Sequence, residues 1–173
     1  MSKQSLTVLG IDPGLAATGF GVIQKKNTAI TCTTYGVITT KAGDPVPKRL
    51  ETIFLKISKI LRTYHPDIVA IEQLFFAKNV KTAFAVGQAR GVIFLALAPH
   101  TIQLAEYSPL QIKQTVVGYG KADKRQVQKM VRLHLGMRET PSPDDAADAL
   151  AAGLCWIYHE GGRKKLYEKL SKS

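Results

Sequence analysis

Three acidic residues stand at places where the surrounding sequence is apolar. Asp12 ends the stretch LTVLGID, and Glu72 ends the stretch DIVAIE. Asp148 is the only charged residue in the apolar segment 146–158, and no Lys or Arg occurs between residues 139 and 162. Because burying an unpaired carboxylate is costly, each of these side chains is expected to pair with a cation or to bind a metal.

Two further acids lie one turn before Asp148. Residues three and four apart share a helix face, so Asp148 can act with either Asp145 or Asp144, and the spacing does not choose between them. Ser142 suits the N-cap and Pro143 the first helical position. Acids in the first turn also favour the positive end of a helix, which gives Asp144 and Asp145 an alternative role.

If the two strand ends are neighbours and the helix crosses them, the carboxylates converge at one point. Such a cluster repels itself unless hard divalent cations neutralise it, and carboxylate oxygens suit Mg²⁺ or Mn²⁺. Two ions roughly 3.5–4 Å apart would generate hydroxide from water and stabilise a leaving 3′ oxygen. This pattern predicts phosphodiester hydrolysis.

The charge balance indicates a polyanionic partner, and nucleic acid is the favoured class. Lys plus Arg amount to 24 against 13 for Asp plus Glu, a net charge of +11 with a pI of about 9.7. A basic stretch surrounds the glycine loop 118–120, and its residues are predicted either to bind phosphates or to form a solvated helix face. The stretch comprises Lys113, Lys121, Lys124, Arg125, Lys129 and Arg132.

The length and cysteine usage favour a single cytoplasmic domain without membrane contact. A chain of 173 residues fits one domain with a sizeable core. Cys32 and Cys155 form no CxxC motif, which indicates reduced thiols. The N-terminus enters a strand pattern without a secretory leader, and no apolar run approaches the roughly 18 residues of a membrane span.

The hydrophobic periodicity predicts an α/β fold with a mixed five-stranded sheet covered by helices. Strands are predicted over 6–11, 18–24, 30–39, 67–71 and 101–107. Helices are predicted over 50–61, 78–98, 109–117, 123–135 and 142–158.

Five motifs in order resemble the RuvC family of bacterial Holliday-junction resolvases. They are GIDPGLAATGFGVI (10–23), AIEQLFFAKN (70–79), GQARG (87–91), IKQTVVGYGKADKRQVQKMV (112–131) and DAADAL (145–150). The similarity runs from about residue 6 to residue 154. It implies a ribonuclease-H-like domain over 1–158. A basic tail, 159–173, remains, which is either frayed or in contact with DNA.

The resemblance also implies the ligand set. The four acidic ligands of the family correspond to Asp12, Glu72, Asp145 and Asp148, and the implied cofactor is two Mg²⁺ ions, for which Mn²⁺ substitutes. This correspondence selects Asp145. Asp144 then lies outside the matched set, either as a helix cap or as a residue that tunes metal affinity.

For DNA binding, the resemblance implies an aromatic residue and two lysines. An aromatic shortly after the glutamate corresponds to Phe75, and stacking of a base on it is worth about 1–3 kcal/mol. The lysines correspond to Lys113 and Lys124. Lys121 and Arg125 belong to the same basic stretch and are predicted phosphate contacts.

The implied activity is symmetric nicking of two strands of like polarity, leaving 5′-phosphate and 3′-hydroxyl ends. A two-fold homodimer supplies two matched sites. The implied partners are four-way junction DNA and the RuvA–RuvB branch-migration complex, in recombination and repair. Helix 78–98, rich in Ala and Gly, is the candidate dimer interface, and packing against the sheet is its alternative role.

Three other functions are weighed against this one. A junction-binding protein without catalysis would keep the basic surface but would not need acids at three apolar element ends. Another ribonuclease-H-like nuclease would act on RNA–DNA hybrids. An actin-like ATPase is suggested by DPGLAATG, but that class needs two such domains and the chain is too short.

Overall fold

The protein is described by a computed structural model over residues 5–73 and 80–170, with side chains described over 5–73 and 83–159. Its strands are β1 Ser5–Asp12, β2 Ala17–Lys26, β3 Ala29–Thr39, β4 Ile68–Glu72 and β5 Gln103–Tyr107. Its helices are α1 Val46–Tyr64, α2 Val80–Leu97, α3 Pro109–Val117, α4 Lys124–His134 and α5 Asp144–Leu170. The predicted elements are therefore all found in the described ranges.

The sheet is mixed and five-stranded, as predicted, and its strand order is β3-β2-β1-β4-β5. The pairs β1–β2 and β2–β3 are antiparallel, whereas β1–β4 and β4–β5 are parallel. In the β1–β4 ladder Ile11 lies opposite Ile71. The next residues, Asp12 and Glu72, therefore end two neighbouring parallel strands at the same edge of the sheet.

Alternation along the strands decides which way these acids face. Val8 packs in one core cluster with the residues of α5, whereas Leu9 and Ile11 pack in the other cluster with α1 and α2. Side chains alternate between the two faces of a strand. Asp12 and, by the same count on β4, Glu72 therefore face α5.

The helices form one layer on each face of the sheet. The layer of α1 and α2 covers one face, and α3, α4 and α5 cover the other. From Ala146 to Ile157 nearly every side chain of α5 is buried, because this helix lies between the sheet and the helices α3 and α4. Within the described ranges, no helix is both long enough and apolar enough to cross a bilayer.

Glycines let α5 approach the sheet at backbone contact. A Cβ atom at Gly10 of β1 would overlap the carbonyl oxygen of Ala149, and one at Gly19 of β2 would overlap the carbonyl oxygen of Asp145. On the helix side, the backbone nitrogen of Gly153 lies 2.9 Å from the same Cβ position at Gly10. Because neither backbone can move aside, only glycine fits these strand positions.

Helix α5 differs from its prediction at both ends. It begins at Asp144, one residue later than the capping pattern predicts, and the carbonyl of Pro143 accepts hydrogen bonds from the amides of Ala146 and Ala147 at 3.1 and 3.3 Å. It continues to Leu170, whereas the sequence pattern ends the helix at 158. Apolar periodicity stops at the edge of the core, but a helix can continue beyond it.

Replacing Gly10 with alanine tests the close approach of α5. We expect Gly10→Ala to lower the free energy of unfolding by about 1–3 kcal/mol, the usual cost of overpacking a core. Gly43→Ala is the matched control, because no atom lies within 4 Å of its Cβ position. Urea unfolding of both variants measures the difference. Equal stability of the two variants would show that α5 does not lie at backbone contact with β1.

Candidate active site

The four predicted acids lie near the edge of the sheet where β1 and β4 end. Asp12 is the last residue of β1, and Glu72 is the last residue of β4. Gly19, which lies opposite Asp12 in the β1–β2 ladder, contacts the backbone of Asp145 at the start of α5. The first turns of α5, which carry Asp145 and Asp148, therefore lie beside the two strand ends.

The carboxyl of Asp12 has a strongly raised pKa. Burial raises the pKa of its carboxyl from 3.8 to about 8, with additional contributions from the charges of Glu72, Asp148 and Asp145. Lys124 acts in the opposite direction. The three other acids thus lie within electrostatic reach of Asp12.

Glu72 shares a proton with Asp12. Burial and the charge of Asp148 raise the pKa of Glu72 to about 7, while Lys113, a hydrogen bond from Asp12 and Lys124 act to lower it. The raised pKa values of about 8 and about 7 belong to Asp12 and Glu72 as a coupled pair, which holds a proton more tightly than two separate carboxyls would.

Asp148 obtains its cations from other helices. Burial raises the pKa of Asp148, and Asp144 and Asp145 add to that effect, whereas Lys124 of α4 and Lys113 of α3 oppose it. The sequence shows no basic residue near Asp148 on its own helix. The fold instead brings Lys113 and Lys124 to Asp148 from α3 and α4, the two helices that precede α5 in the chain.

A cavity of about 200 Å³ brings these groups together. Its wall contains two acids, two lysines and three apolar or proline side chains from α3 and α4. They are Glu72, Asp148, Lys113, Lys124, Pro109, Ile112 and Val127. Asp145 lies on a neighbouring groove of about 440 Å³, formed with the turn 14–17 and Arg49. Glu72 and Asp148 therefore line one depression of the surface and Asp145 lines another, whereas Asp12 lines neither.

Asp144, the additional acid, contacts α4. Its Oδ1 accepts a hydrogen bond from Gln128 Nε2 at 2.6 Å, and its Oδ2 lies 3.4 Å from the ammonium of Lys124. Burial lowers the pKa of Lys124, but Asp148, Asp144 and Asp145 outweigh that effect and raise it. Lys124 therefore stays protonated next to the acids.

Three further residues were predicted to contact DNA, namely Lys121, Arg125 and Phe75. Lys121 and Arg125 are exposed, at the surface of the glycine loop and of the first turn of α4. Phe75 lies outside the described residues. The DNA contacts of all three residues stay predictions.

The donor set suits a hard divalent cation in its chemistry. All four acids are carboxylates, and the repulsion among them that raises the pKa of Asp12 is what a dication would oppose. Among the residues that the structure describes, no three His, Cys, Asp or Glu side chains are gathered closely enough to form a ready-made metal site. The chemistry therefore fits a cation, although the side chains are not drawn together around one point.

One residue that contacts the site was not predicted. Arg90 of α2 donates a hydrogen bond from Nη1 to the main-chain carbonyl of Glu72. The sequence signals it only as part of GQARG, the motif that the resemblance includes without a role.

Comparison with known proteins agrees with the order of the motifs. The family model described as "Crossover junction endodeoxyribonuclease RuvC" matches residues 8–156, a range that contains all four acids and both cavity lysines. RuvC of Natranaerobius thermophilus is 50% identical over 150 residues, which cover 87% of this chain and 93% of that protein. RuvC of Alkaliphilus oremlandii is 48% identical over 163 residues, covering 94% and 99%.

The same relationship holds in three dimensions. The structure of T. thermophilus RuvC in complex with Holliday junction substrate superposes with a TM-score of 0.85 at 33% identity, covering 90% of this chain and 94% of that one. The predicted ribonuclease-H-like α/β fold is thereby confirmed. Motifs, fold and family match agree over nearly the whole chain, so the protein belongs to the RuvC family of crossover junction endodeoxyribonucleases.

Proposed function

We propose that this protein is a structure-specific endonuclease that resolves Holliday junctions by nicking two strands of like polarity. The observation that carries the proposal is the cavity in which Glu72 and Asp148 face Lys113 and Lys124. This cavity is lined both by acids that can hold cations and by lysines that can hold a phosphate. The protein as a whole is strongly basic. A protein that only binds junctions would have no need to bury carboxylates at such cost.

In this proposal Asp12, Glu72, Asp145 and Asp148 hold two Mg²⁺ ions, with Mn²⁺ as a substitute. When bound, such ions supply activation of a water nucleophile and neutralisation of the leaving 3′ oxygen. The products are 5′-phosphate and 3′-hydroxyl ends. Because the pKa values of Asp12 and Glu72 are raised to about 8 and about 7, binding of the ions would release a proton from this pair.

The lysines of the cavity bind the scissile phosphate in this proposal. Lys124 lies 3.4 Å from Asp144, and Lys113 of α3 lines the same cavity. Their ammonium groups offset the charge that develops on the phosphate. Lys121 and Arg125 contact the backbone of the DNA arms, and Phe75 stacks on a base near the exchange point.

Paired nicks require two sites in a symmetric relation, and α2 offers a surface for a homodimer. Phe84 and Leu95 are 69% and 61% exposed, although both are large apolar side chains. Between them, Cβ positions at Gly87 and Gly91 meet no atom within 4 Å, so packing within the chain does not require glycine there. These four residues recur at helical spacing and form an outward stripe, here called the α2 stripe, on which the helix of a second copy can pack closely.

The wider setting of the proposal follows from family membership. We propose that the dimer acts with the RuvA–RuvB branch-migration complex in recombination and DNA repair, in the cytoplasm. Branch migration would present successive sequences to the two sites.

Removing single acids tests the catalytic assignment. We expect Glu72→Gln and Asp148→Asn each to lower the rate of nicking of a synthetic mobile four-way junction by roughly 10²–10³-fold. Junction binding, measured in chelator by gel shift, should persist because the basic surface is unchanged. Glu51→Gln, an exposed residue of α1, is the matched control.

The same assay distinguishes the alternatives. Paired symmetric nicks should form with Mg²⁺ and not with chelator, and an RNA–DNA hybrid should be cut far more slowly than the junction. Cleavage at the wild-type rate by both acid variants would refute the metal-ligand assignment.

The raised carboxyl pKa values predict an unusual dependence of stability on pH without divalent metal. Because the pKa of Asp12 in the folded protein is about 8 and its ordinary value is 3.8, the folded state binds an extra proton between these values. The stability that this proton contributes is present below about pH 4 and is lost as the pH rises through about 8. Glu72 adds to the loss as the pH rises towards about 7.

Urea unfolding at a series of pH values, in chelator and in Mg²⁺, measures this effect. We expect Asp12→Asn to flatten the decline in stability, since an amide does not ionise. Mg²⁺ should restore the stability of the wild-type protein at pH values above 8, where the acids are charged. An identical slope for Asp12→Asn and the wild-type protein would contradict the assignment of the shift to Asp12.

Charging the α2 stripe tests the dimer. We expect Phe84→Glu to raise the dimer dissociation constant at least about 30-fold, equivalent to about 2 kcal/mol for a central apolar contact. Sedimentation velocity across a concentration series measures it. Leu55→Glu is the control, because Leu55 is 55% exposed and belongs to α1. Equal dissociation constants for the two variants would exclude this face as the interface.

A further inference from the structure

Arg90 holds the strand end that carries Glu72, from the face of the sheet opposite the acids. Its Nη1 donates to the main-chain carbonyl of Glu72, and its Nη2 donates to Oε2 of Glu106 on β5 at 2.6 Å. Glu106 lies opposite Ile71 in the β4–β5 ladder, so one guanidinium joins two neighbouring strands at the same end. The contact fixes the position of the Glu72 backbone relative to β5.

The faces of the sheet show how this contact affects the carboxylate. Ile71 packs with α1 and α2, and Tyr107 packs on the α5 face, so alternation puts the side chain of Glu106 on the α2 face and that of Glu72 on the α5 face. Arg90 thus holds the main-chain carbonyl of Glu72 from the α2 face of the sheet, while the carboxylate of Glu72 lies on the α5 face with the other acids. The direction of that carboxylate depends on where the backbone of the last strand residue is held.

The surroundings of Arg90 are those of a fixed side chain. It is 11% exposed, and its guanidinium lies 5.1 Å from the centroid of the Phe94 ring. Glu106 neutralises its charge. The charged groups that shift the pKa of Glu72, namely Asp148, Lys113 and Lys124, lie on the other face of the sheet. The contribution of Arg90 is therefore geometric.

We infer that Arg90 is a positioning residue for Glu72: by joining the Glu72 carbonyl to Glu106 it sets the direction in which the Glu72 carboxylate meets a divalent cation. The inference rests on the proposed function, in which Glu72 is a metal ligand. Lysine cannot replace arginine here, because only the planar guanidinium offers two diverging donors to two acceptors at once.

The test measures binding of Mn²⁺ to the free protein by electron paramagnetic resonance, without DNA and without turnover. We expect Arg90→Lys to weaken Mn²⁺ binding about 10- to 100-fold, the usual effect of removing a group that supports a metal ligand. Junction binding in chelator should not change. Arg62→Lys, an exposed arginine in the last turn of α1, is the matched control and should bind Mn²⁺ like the wild-type protein.

A second background separates positioning from general structural damage. In Glu72→Gln protein the ligand itself is altered, so Arg90→Lys should have no additional effect on Mn²⁺ binding if it acts through Glu72. Glu106→Gln provides a second perturbation of the same contact, with the same expectation in both backgrounds, and it carries the test alone if Arg90→Lys does not fold.

Each result has a distinct meaning. Weaker binding in the wild-type background and no further loss in the Glu72→Gln background supports the inference. An equal loss in both backgrounds, or no loss in either, overturns it while leaving the proposed function intact. If Glu72→Gln alone binds Mn²⁺ like the wild-type protein, the proposed metal site fails, and the positioning role fails with it.

Discussion

The backbone contact between α5 and the first two strands is the constraint on which the rest of the structure depends. Glycine at Gly10 and Gly19 removes the side chains that would hold the helix away. The helix therefore starts directly beside the ends of β1 and β4, and its acids come within electrostatic reach of those of the strands. The same closeness excludes water, which is why burial is the largest cause of the raised pKa values of Asp12 and Glu72.

A half-buried cluster of like charges is tolerated only with partial compensation. An uncompensated ion in a protein interior costs several kcal/mol even after relaxation. Here, Lys113 and Lys124 reduce that cost from α3 and α4, and a proton shared between Asp12 and Glu72 reduces it further. Both forms of compensation can be given up, because the shared proton can dissociate and a lysine ammonium can bind a phosphate in place of a carboxylate. A site balanced in this way can accept a metal ion and an anionic substrate together.

The sequence predicted the secondary structure and the candidate acids because both follow from local patterns, whereas the convergence of the acids was conditional on a strand order that local patterns do not give. Apolar strands that end in a carboxylate, and an apolar helix with one internal acid, are visible without coordinates. The choice of Asp145 over Asp144 depended on family resemblance, because positions three and four apart share a face. The contact of Arg90 with the Glu72 carbonyl was not predictable, since nothing local indicates which main-chain oxygen an arginine on another element reaches. The extension of α5 to Leu170 was missed because apolar periodicity marks the buried part of a helix and not its end.

Helix α2 carries two features on different sides. One side presents the α2 stripe, with Phe84 and Leu95 exposed, and the other presents Arg90 to the end of β4. Because a helix is stiff over this length, a partner that packs against the α2 stripe would also affect the position of the Arg90 guanidinium. If two copies associate through the α2 stripe as proposed, the same helix would link that association to the orientation of the Glu72 carboxylate, and a lone subunit would hold Glu72 less firmly than a paired one.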